Sequence, residues 1–321
     1  MTVTTYLNTK IPLTLSGYRL DKALAELFPD YSRARLQQWI REGQVLVNAI
    51  PLRAKDKVLG GEDIQIVAES REEVTWEAQD LPLNILYEDE DVLVINKPAG
   101  LVVHPGAGNA HNTLVNALLF HAPELSDVPR AGIIHRLDKD TSGILVVARN
   151  LTAHTSLINQ QQAREFKREY QAVIMGVLVS GGTVNAPIDR HPNLRTQMAV
   201  VEEGKGRPAI THYRVMQRYR AHTLVRVKLE TGRTHQIRVH MLYKRHPIVG
   251  DPVYGGRFRI PPASSAEFLE TLRTFGRQAL HAEILGFVHP RTGEMMEWNA
   301  PPPEDMQNLL AALAQDVKEH A

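Results

Sequence analysis

Near the start of the chain, apolar side chains recur at helical spacing in two short stretches. Leu20, Ala23, Leu24 and Leu27 share one face of a helix that begins around Asp21 and Lys22 and that Pro29 ends. Ser32 is placed to cap a second helix, with Leu36, Trp39 and Ile40 inward and Arg33, Arg35 and Arg41 on its flanks; Gly43 closes it. Val45-Leu46-Val47-Asn48 reads as a strand entering a turn, and Gly60-Gly61 separates it from another short strand, Ile64-Gln65-Ile66. Residues 18–66 therefore read as one small α/β module behind an N-terminal arm, 1–17. Over 67–80 the apolar periodicity fades and Glu69, Glu72, Glu73, Glu77 and Asp80 outnumber the single Arg71, the composition of a linker.

From Leu81 onward the pattern is rich in strands. Residues 85–87 and 92–96 flank the acidic 88–91 as in a hairpin, and Lys97-Pro98-Ala99-Gly100 breaks the second strand. Residues 144–148 form a short buried strand, and 150–167 suit a helix with Ala153, Leu157, Ile158 and Phe166 inward. Residues 170–178 and 223–230 are further strands, 235–245 a helix, and 304–321 an amphipathic helix. Many strands with few intervening helices predict an α+β domain over 81–321, built on a mixed, largely antiparallel sheet with flanking helices.

Composition narrows the class. No run of about 18 apolar residues marks a membrane span. The opening Met1-Thr2-Val3-Thr4-Thr5 lacks the basic start and apolar stretch of a secretion signal, and cysteine is absent, so disulfides and thiolate metal sites are excluded. Both observations fit a cytoplasmic protein. The net charge is only +1, but residues 190–250 hold thirteen Lys/Arg against three acids, Glu202, Glu203 and Glu230. Positive charge concentrated in one region of a near-neutral chain predicts a face for a polyanion, although a solvated basic surface explains charge alone equally well.

The stretch with most chemical content is His135-Arg136-Leu137-Asp138-Lys139-Asp140-Thr141-Ser142-Gly143, a polar loop between apolar Ile133-Ile134 and 144–147. Strands at both ends make it a rigid mount for a reactive side chain, and Asp138 lies beside Arg136 and Lys139. An ionised carboxylate there serves as nucleophile or base, while an ordinary capped loop is the plainer reading. Arg168-Glu169-Tyr170 can present a ring into a cleft. Thr231-Gly232-Arg233-Thr234-His235-Gln236-Ile237-Arg238-Val239-His240 gathers two arginines and two histidines around a turn and the first helical turn, with Thr234 and Arg238 on one helical face.

These segments resemble a known family. The pattern HRLDxxTSG over 135–143 is similar to the signature of the RluA family of pseudouridine synthases. Asn96-Lys97-Pro98-Ala99-Gly100 with His104-Pro105, Arg168-Glu169-Tyr170, 232–240, and Gly250-Asp251-Pro252 with Tyr254-Gly255 match its other segments in order, over roughly 81–301. Residues 18–66 resemble the S4 RNA-binding module that often precedes this catalytic domain. The resemblance implies a central RNA-binding cleft and isomerisation of uridine to pseudouridine without cofactor or metal. It implies Asp138 as catalytic aspartate, Tyr170 stacked on the target base, Arg238 paired with the aspartate, and Arg136 filling the gap left by the extruded base. His135, Thr141, Arg233, His235, Gln236 and Lys97 are further expected substrate contacts, Lys97 to phosphate, and Arg33, Arg35 and Arg41 expected RNA contacts of the small module. Addition to C6, attack at C1′, and proton abstraction by Asp138 all use the same three residues. The implied substrate is large-subunit (23S) ribosomal RNA in a structured stem-loop, or the pre-ribosomal large subunit.

Two rivals remain. A non-catalytic RNA-binding assembly factor needs no carboxylate among phosphates, and a glycosidase-like hydrolase wants a second catalytic carboxylate, for which Asp140 is the only neighbour. His235 and His240 lie five apart without a completing carboxylate, an unlikely metal pair, and Trp39 reads as core.

Overall fold

A computed structural model describes residues 3–29, 31, 33–70, 76–106, 108–194, 196–256 and 260–321. The chain divides into two units, Met1–Thr75 and Trp76–Ala321.

In the first unit, β1 (Val3–Lys10), α1 (Leu20–Leu27), α2 (Arg33–Arg41), β2 (Val45–Val47), β3 (Ile50–Pro51) and β4 (Asp63–Ser70) follow in order. The sheet runs β1-β4-β2-β3 and is antiparallel throughout. Leu20, Leu24, Leu36, Trp39 and Ile40 from the two helices pack on Val45, Val47, Ile64 and Ile66, so the expected helix faces and the core position of Trp39 hold. The segment 1–17, expected as an arm, instead supplies β1, which pairs with β4 from Val3↔Ser70 to Lys10↔Asp63. Its alternation of Thr, Tyr, Leu and Asn is weakly apolar, and a partner strand is what gives it structure. The expected linker is likewise encroached on from both sides. β4 runs to Ser70, and on the far side Gln79 donates its amide to Asn116 while the Asn116 side chain donates to the Glu77 carbonyl. Ser32, the expected cap of α2, lies outside the described residues.

The second unit is built on a nine-stranded mixed sheet, counted among the described residues. Its strands are β5 (Ile85–Glu88), β6 (Val92–Lys97), β7 (Ser142–Ala148), β8 (Lys167–Met175), β9 (Gly182–Asn185), then, beyond the separate hairpin of β10 (Ile188–Arg190) and β11 (Met198–Val200), β12 (Ile210–Arg218), β13 (His222–Leu229), β14 (Leu280–Val288) and β15 (Met295–Asn299). The helices are α3 (Leu114–His121), α4 (Leu151–Ala163), α5 (Gln236–Tyr243), α6 (Ala266–Thr274) and α7 (Glu304–Glu319). The order is β5-β6-β7-β14-β8-β13-β12-β9, with β15 on β14, and only β7–β14 pairs in parallel. The expected α+β class is thus observed.

Central strands are continuous apolar runs because both faces are covered. Leu93, Ile95, Leu145 and Val147 enter one core with α3 and α7, while Val92, Val94, Ile144 and Val146 enter another with α4, Phe166 and Phe287. The helix expected to reach residue 167 stops at Ala163, since Arg164 turns left-handed (φ 64°) and Lys167 already belongs to β8.

Candidate active site

The signature loop enters the sheet at β7, and its last turn is held from three directions. Arg277 donates to the Asp140 carbonyl (3.2 Å), Gln278 to the Thr141 hydroxyl (3.0 Å), and Lys97 to the Lys139 carbonyl (2.9 Å). Gly143 must be glycine: at φ 119° a Cβ would lie 2.2 Å from the Ala282 carbonyl of neighbouring β14. With its backbone so fixed, the loop leaves the Asp138 side chain partly exposed, directed at a buried arginine.

That arginine is Arg238, carried on the first turns of α5. The preceding turn is knotted by Gln236, which accepts from the Thr231 hydroxyl and the Arg233 amide and donates to the Ile210 carbonyl and the Thr211 hydroxyl. His235 caps the helix in a left-handed conformation (φ 55°) and bonds its Nδ1 to Tyr254 Oη at 2.8 Å. Arg238 then reaches two carboxylates. Its Nη1 donates to Asp138 (2.9 Å), and Nε and Nη2 grip Asp251 (2.7 and 2.9 Å). Asp251 is itself fully buried and accepts the amides of Val253 and Tyr254, whose ring the guanidinium covers at 4.9 Å. Burial alone would lower the Arg238 pKa, but Asp251 and Asp138 more than reverse this and hold it above its ordinary value.

Asp138 and Arg238 line a cavity of about 460 Å³ together with Tyr170, from β8. Burial raises the Tyr170 pKa, so the ring is a neutral phenol wall at pH 7. Arg136 is exposed on the rim, and Arg233, Thr234 and His235, partly or fully exposed, also line the cavity. Burial lowers the His235 pKa against the partial opposition of Asp138, whose carboxylate is 3.9 Å away. The three expected principals, an acid, a ring and a guanidinium from three distant segments, therefore border one cavity.

Several expected contacts are placed differently. Lys97, read as a phosphate contact, has no exposed surface: its ammonium donates to the carbonyls of Pro98, Leu101 and Lys139, and burial pushes its pKa down to about 7 against the pull of Asp140 and Asp138. The apolar strand β6 draws it inward, where three carbonyls replace water. Gln236, 3% exposed, spends its amide on the turn. His135 borders the cavity, but its Nε2 accepts the Val146 amide (3.4 Å), and burial with nearby Arg168 takes its pKa down to about 3. Thr141 is buried and bonded to Gln278. Thr234 lies in the turn before α5 and not on the helix, which starts only after His235. His240 is wholly buried between Thr211 and the Ala186 carbonyl. In the first unit, Arg33 is committed to buried Asp21 (2.8 Å), Arg35 lies 5.7 Å over Trp39, and Arg41 is exposed.

Sequence reasoning gave no role to Asp251, though it stood in a quoted segment, and overlooked Arg277 and Gln278, which no local pattern connects to residues 137 positions earlier. One group among the described residues has metal-ligand spacing, Asp89, Asp91 and His289. It lies outside the cavity lining, and its oxygens are already engaged by His289, Arg291 and Asn150.

A mixed sheet carries one Asp–Arg–Asp chain at the edge of an arginine-lined cavity, a charge distribution that suits a polyanion such as RNA. The family model for RNA pseudouridylate synthase matches residues 91–243, and the S4 domain model matches 19–64. The chain belongs to the RluA-type pseudouridine synthases, enzymes that isomerise uridine in RNA, and it carries an S4 domain. It is 58% identical over 305 residues to ribosomal large subunit pseudouridine synthase D of Salmonella typhimurium, covering 95% of this chain and 93% of that protein. It is 57% identical over 305 residues to the protein of the same name from Escherichia coli (strain K12), with the same coverage, and 56% identical over 307 residues to that of Pseudomonas aeruginosa, covering 96% and 95%. Among solved structures, human RNA pseudouridylate synthase domain containing 4 matches with a TM-score of 0.57 at 27% identity, covering 72% of this chain and 93% of that one.

Proposed function

We propose that this enzyme converts specific uridines of large-subunit (23S) ribosomal RNA to pseudouridine, with Asp138 as catalytic carboxylate, Tyr170 as the platform under the flipped base and Arg238 as the aspartate's partner. The carrying observation is the Arg238 bridge: a guanidinium anchored on buried Asp251 presents its remaining edge to Asp138 at 2.9 Å, beside the Tyr170 ring in one cavity. Flipping a stacked uridine costs a few kcal/mol, which Arg136 on the rim offsets by occupying the vacated position. Inside, the N1–C1′ bond breaks, the uracil turns between Tyr170 and the loop, C5 bonds to C1′, and the C5 proton is then lost while N1 gains one. Walls of Leu137, Leu229, Ile237 and Leu280 support the retention of the detached base by limiting water. Arg233 and His235 serve as substrate contacts at the open side.

Residues 18–66, with Arg41 exposed and Arg33 and Arg35 on the same helix, serve as the RNA-positioning module. Relatives that share nearly the whole chain bear ribosomal names, which supports a structured stem-loop of large-subunit RNA, free or in the pre-ribosomal particle, as the substrate, and hence a cytoplasmic site of action. The test is release of tritium from RNA carrying [5-³H]uridine, with pseudouridine mapped in the product. Exchange at C5 supports the reading; free uracil indicates a hydrolase, and tight binding without exchange indicates an assembly factor.

A further inference from the structure

The cavity has six arginines in its lining, Arg130, Arg136, Arg168, Arg207, Arg233 and Arg238, against a single carboxylate, Asp138. Of these, Arg168 is unlike the rest. It is only 5% exposed, the same as Arg238, yet it has no anion: its Nε has no hydrogen-bond partner, its Nη2 reaches the Glu230 carbonyl only at 3.5 Å, and no carboxylate lies within ion-pair distance of it among the described residues. Glu230, whose carbonyl that bond reaches, has its carboxylate taken by Arg164 and His212. Burying a guanidinium without a counter-charge costs several kcal/mol. A second observation marks the same spot. Gly232 packs on this guanidinium so closely that a Cβ would meet Nη1 at 2.9 Å, so the bare backbone of the 231–235 turn leaves room for the head of Arg168 at the cavity wall. Arg207 and Arg233 approach from the same side, and after burial it is Arg207, Arg164 and Arg168 that depress the Arg233 pKa.

We propose that Arg168, flanked by Arg207 and Arg233, forms an anion site that receives a backbone phosphate of the RNA next to the target uridine. The planar fork of Arg168 suits two phosphate oxygens, and the anion would supply the charge that the fold omits. The site divides the cavity: the Asp138–Arg238–Asp251 wall handles the base, and the Arg168 wall holds the sugar–phosphate so that C1′ stays put while the uracil turns. This inference rests on the proposed uridine isomerisation.

The test uses full-length protein and a stem-loop RNA containing the target uridine, made either with natural linkages or with one neutral methylphosphonate at each linkage around that uridine. Arg168→Met is expected to raise the RNA dissociation constant and KM about 10- to 100-fold, more than it lowers kcat, and to flatten the salt dependence of binding by about one phosphate's worth. Arg168→Lys should recover part of the loss, because an ammonium keeps the charge without the fork. At one linkage, the methylphosphonate should cost the wild type a similar factor and cost Arg168→Met nothing further. Thermal stability of Arg168→Met should equal or exceed that of wild type, since an uncompensated buried charge is removed. Losses that multiply at every linkage, unchanged affinity in Arg168→Met, or a fall in stability large enough to explain its activity would each overturn the phosphate site. If wild type makes no pseudouridine, the functional reading fails separately, while the methylphosphonate binding series still reports on the anion site.

Discussion

Two arginines lining one cavity, Arg238 and Arg168, are equally buried and oppositely provided for. Arg238 has both edges of its guanidinium filled by Asp138 and Asp251, whereas Arg168 makes one long bond to a carbonyl. The first wall is complete before RNA arrives: the Arg238 cation is fully paired, its geometry is fixed, and one oxygen of Asp138 is left for the proposed reaction. The second wall is incomplete until an anion enters. Preorganised electrostatics suits the group that must react, and an unsatisfied cation suits the group that must capture.

Substitutions can break this contrast from either side. The largest effect is expected from Asp138→Asn, which removes the carboxylate at nearly constant size: pseudouridine formation in a single-turnover assay should fall by roughly 10⁴-fold or more, while RNA binding is kept or tightened because one negative charge leaves the cavity. Asp251→Asn touches no substrate but cuts the anchor of Arg238. It should cost about 10²-fold in kcat through mispositioning of that group, with a lowered Tm because a buried ion pair is broken; unchanged kcat would remove Asp251 from the positioning of the site.

Lys97 offers a pH test of how the loop is held. In the folded protein its pKa sits near 7, below the ordinary lysine value of about 10.4, so between those limits the unfolded chain carries the extra proton. The desolvation cost is therefore fully present below pH 7 and is relieved as pH rises toward 10. Lys97→Met leaves three carbonyls unpaired and lacks this relief. Its deficit in urea-denaturation stability should widen between pH 7 and 9, and a gap that stays constant would mean the ammonium persists. The smallest effect is expected from Gly232→Ala, whose methyl displaces only the flexible end of Arg168. KM should rise by roughly threefold with kcat nearly constant, because a side-chain end shifts cheaply whereas backbone does not.

Much of the local structure was legible because short-range physics dictates it. The 3.6-residue spacing of Leu20, Leu24 and Leu36, Trp39, Ile40 marked α1 and α2, and the unbroken apolar runs at 92–95 and 144–148 marked strands covered on both faces. β14 escaped notice although it lies at the centre of the sheet. His281 and Glu283 interrupt its apolar pattern, and they are tolerated only because Ser142 and the Ala300 carbonyl satisfy the first, Gln171 and Arg226 the second. β1 and β12 were missed for a related reason, as partly exposed strands whose polar alternation gains meaning only from a neighbour.

The ordered motifs by themselves determined the family and its activity and singled out Asp138, Tyr170 and Arg238 as the proposed site, since a reaction of this kind constrains residue types that stay readable in one dimension. What tertiary structure decided was which polar groups would be spent on the fold and which would remain for RNA. Lys97, Gln236 and Thr141 look like ligands in sequence and are consumed by carbonyls, amides and a neighbouring side chain, while Arg168 looks like any strand residue and is left unpaired. Whether a polar atom is satisfied depends on partners brought together by folding across 42, 100 or 137 positions, and spacing along a chain carries no record of such distances in space.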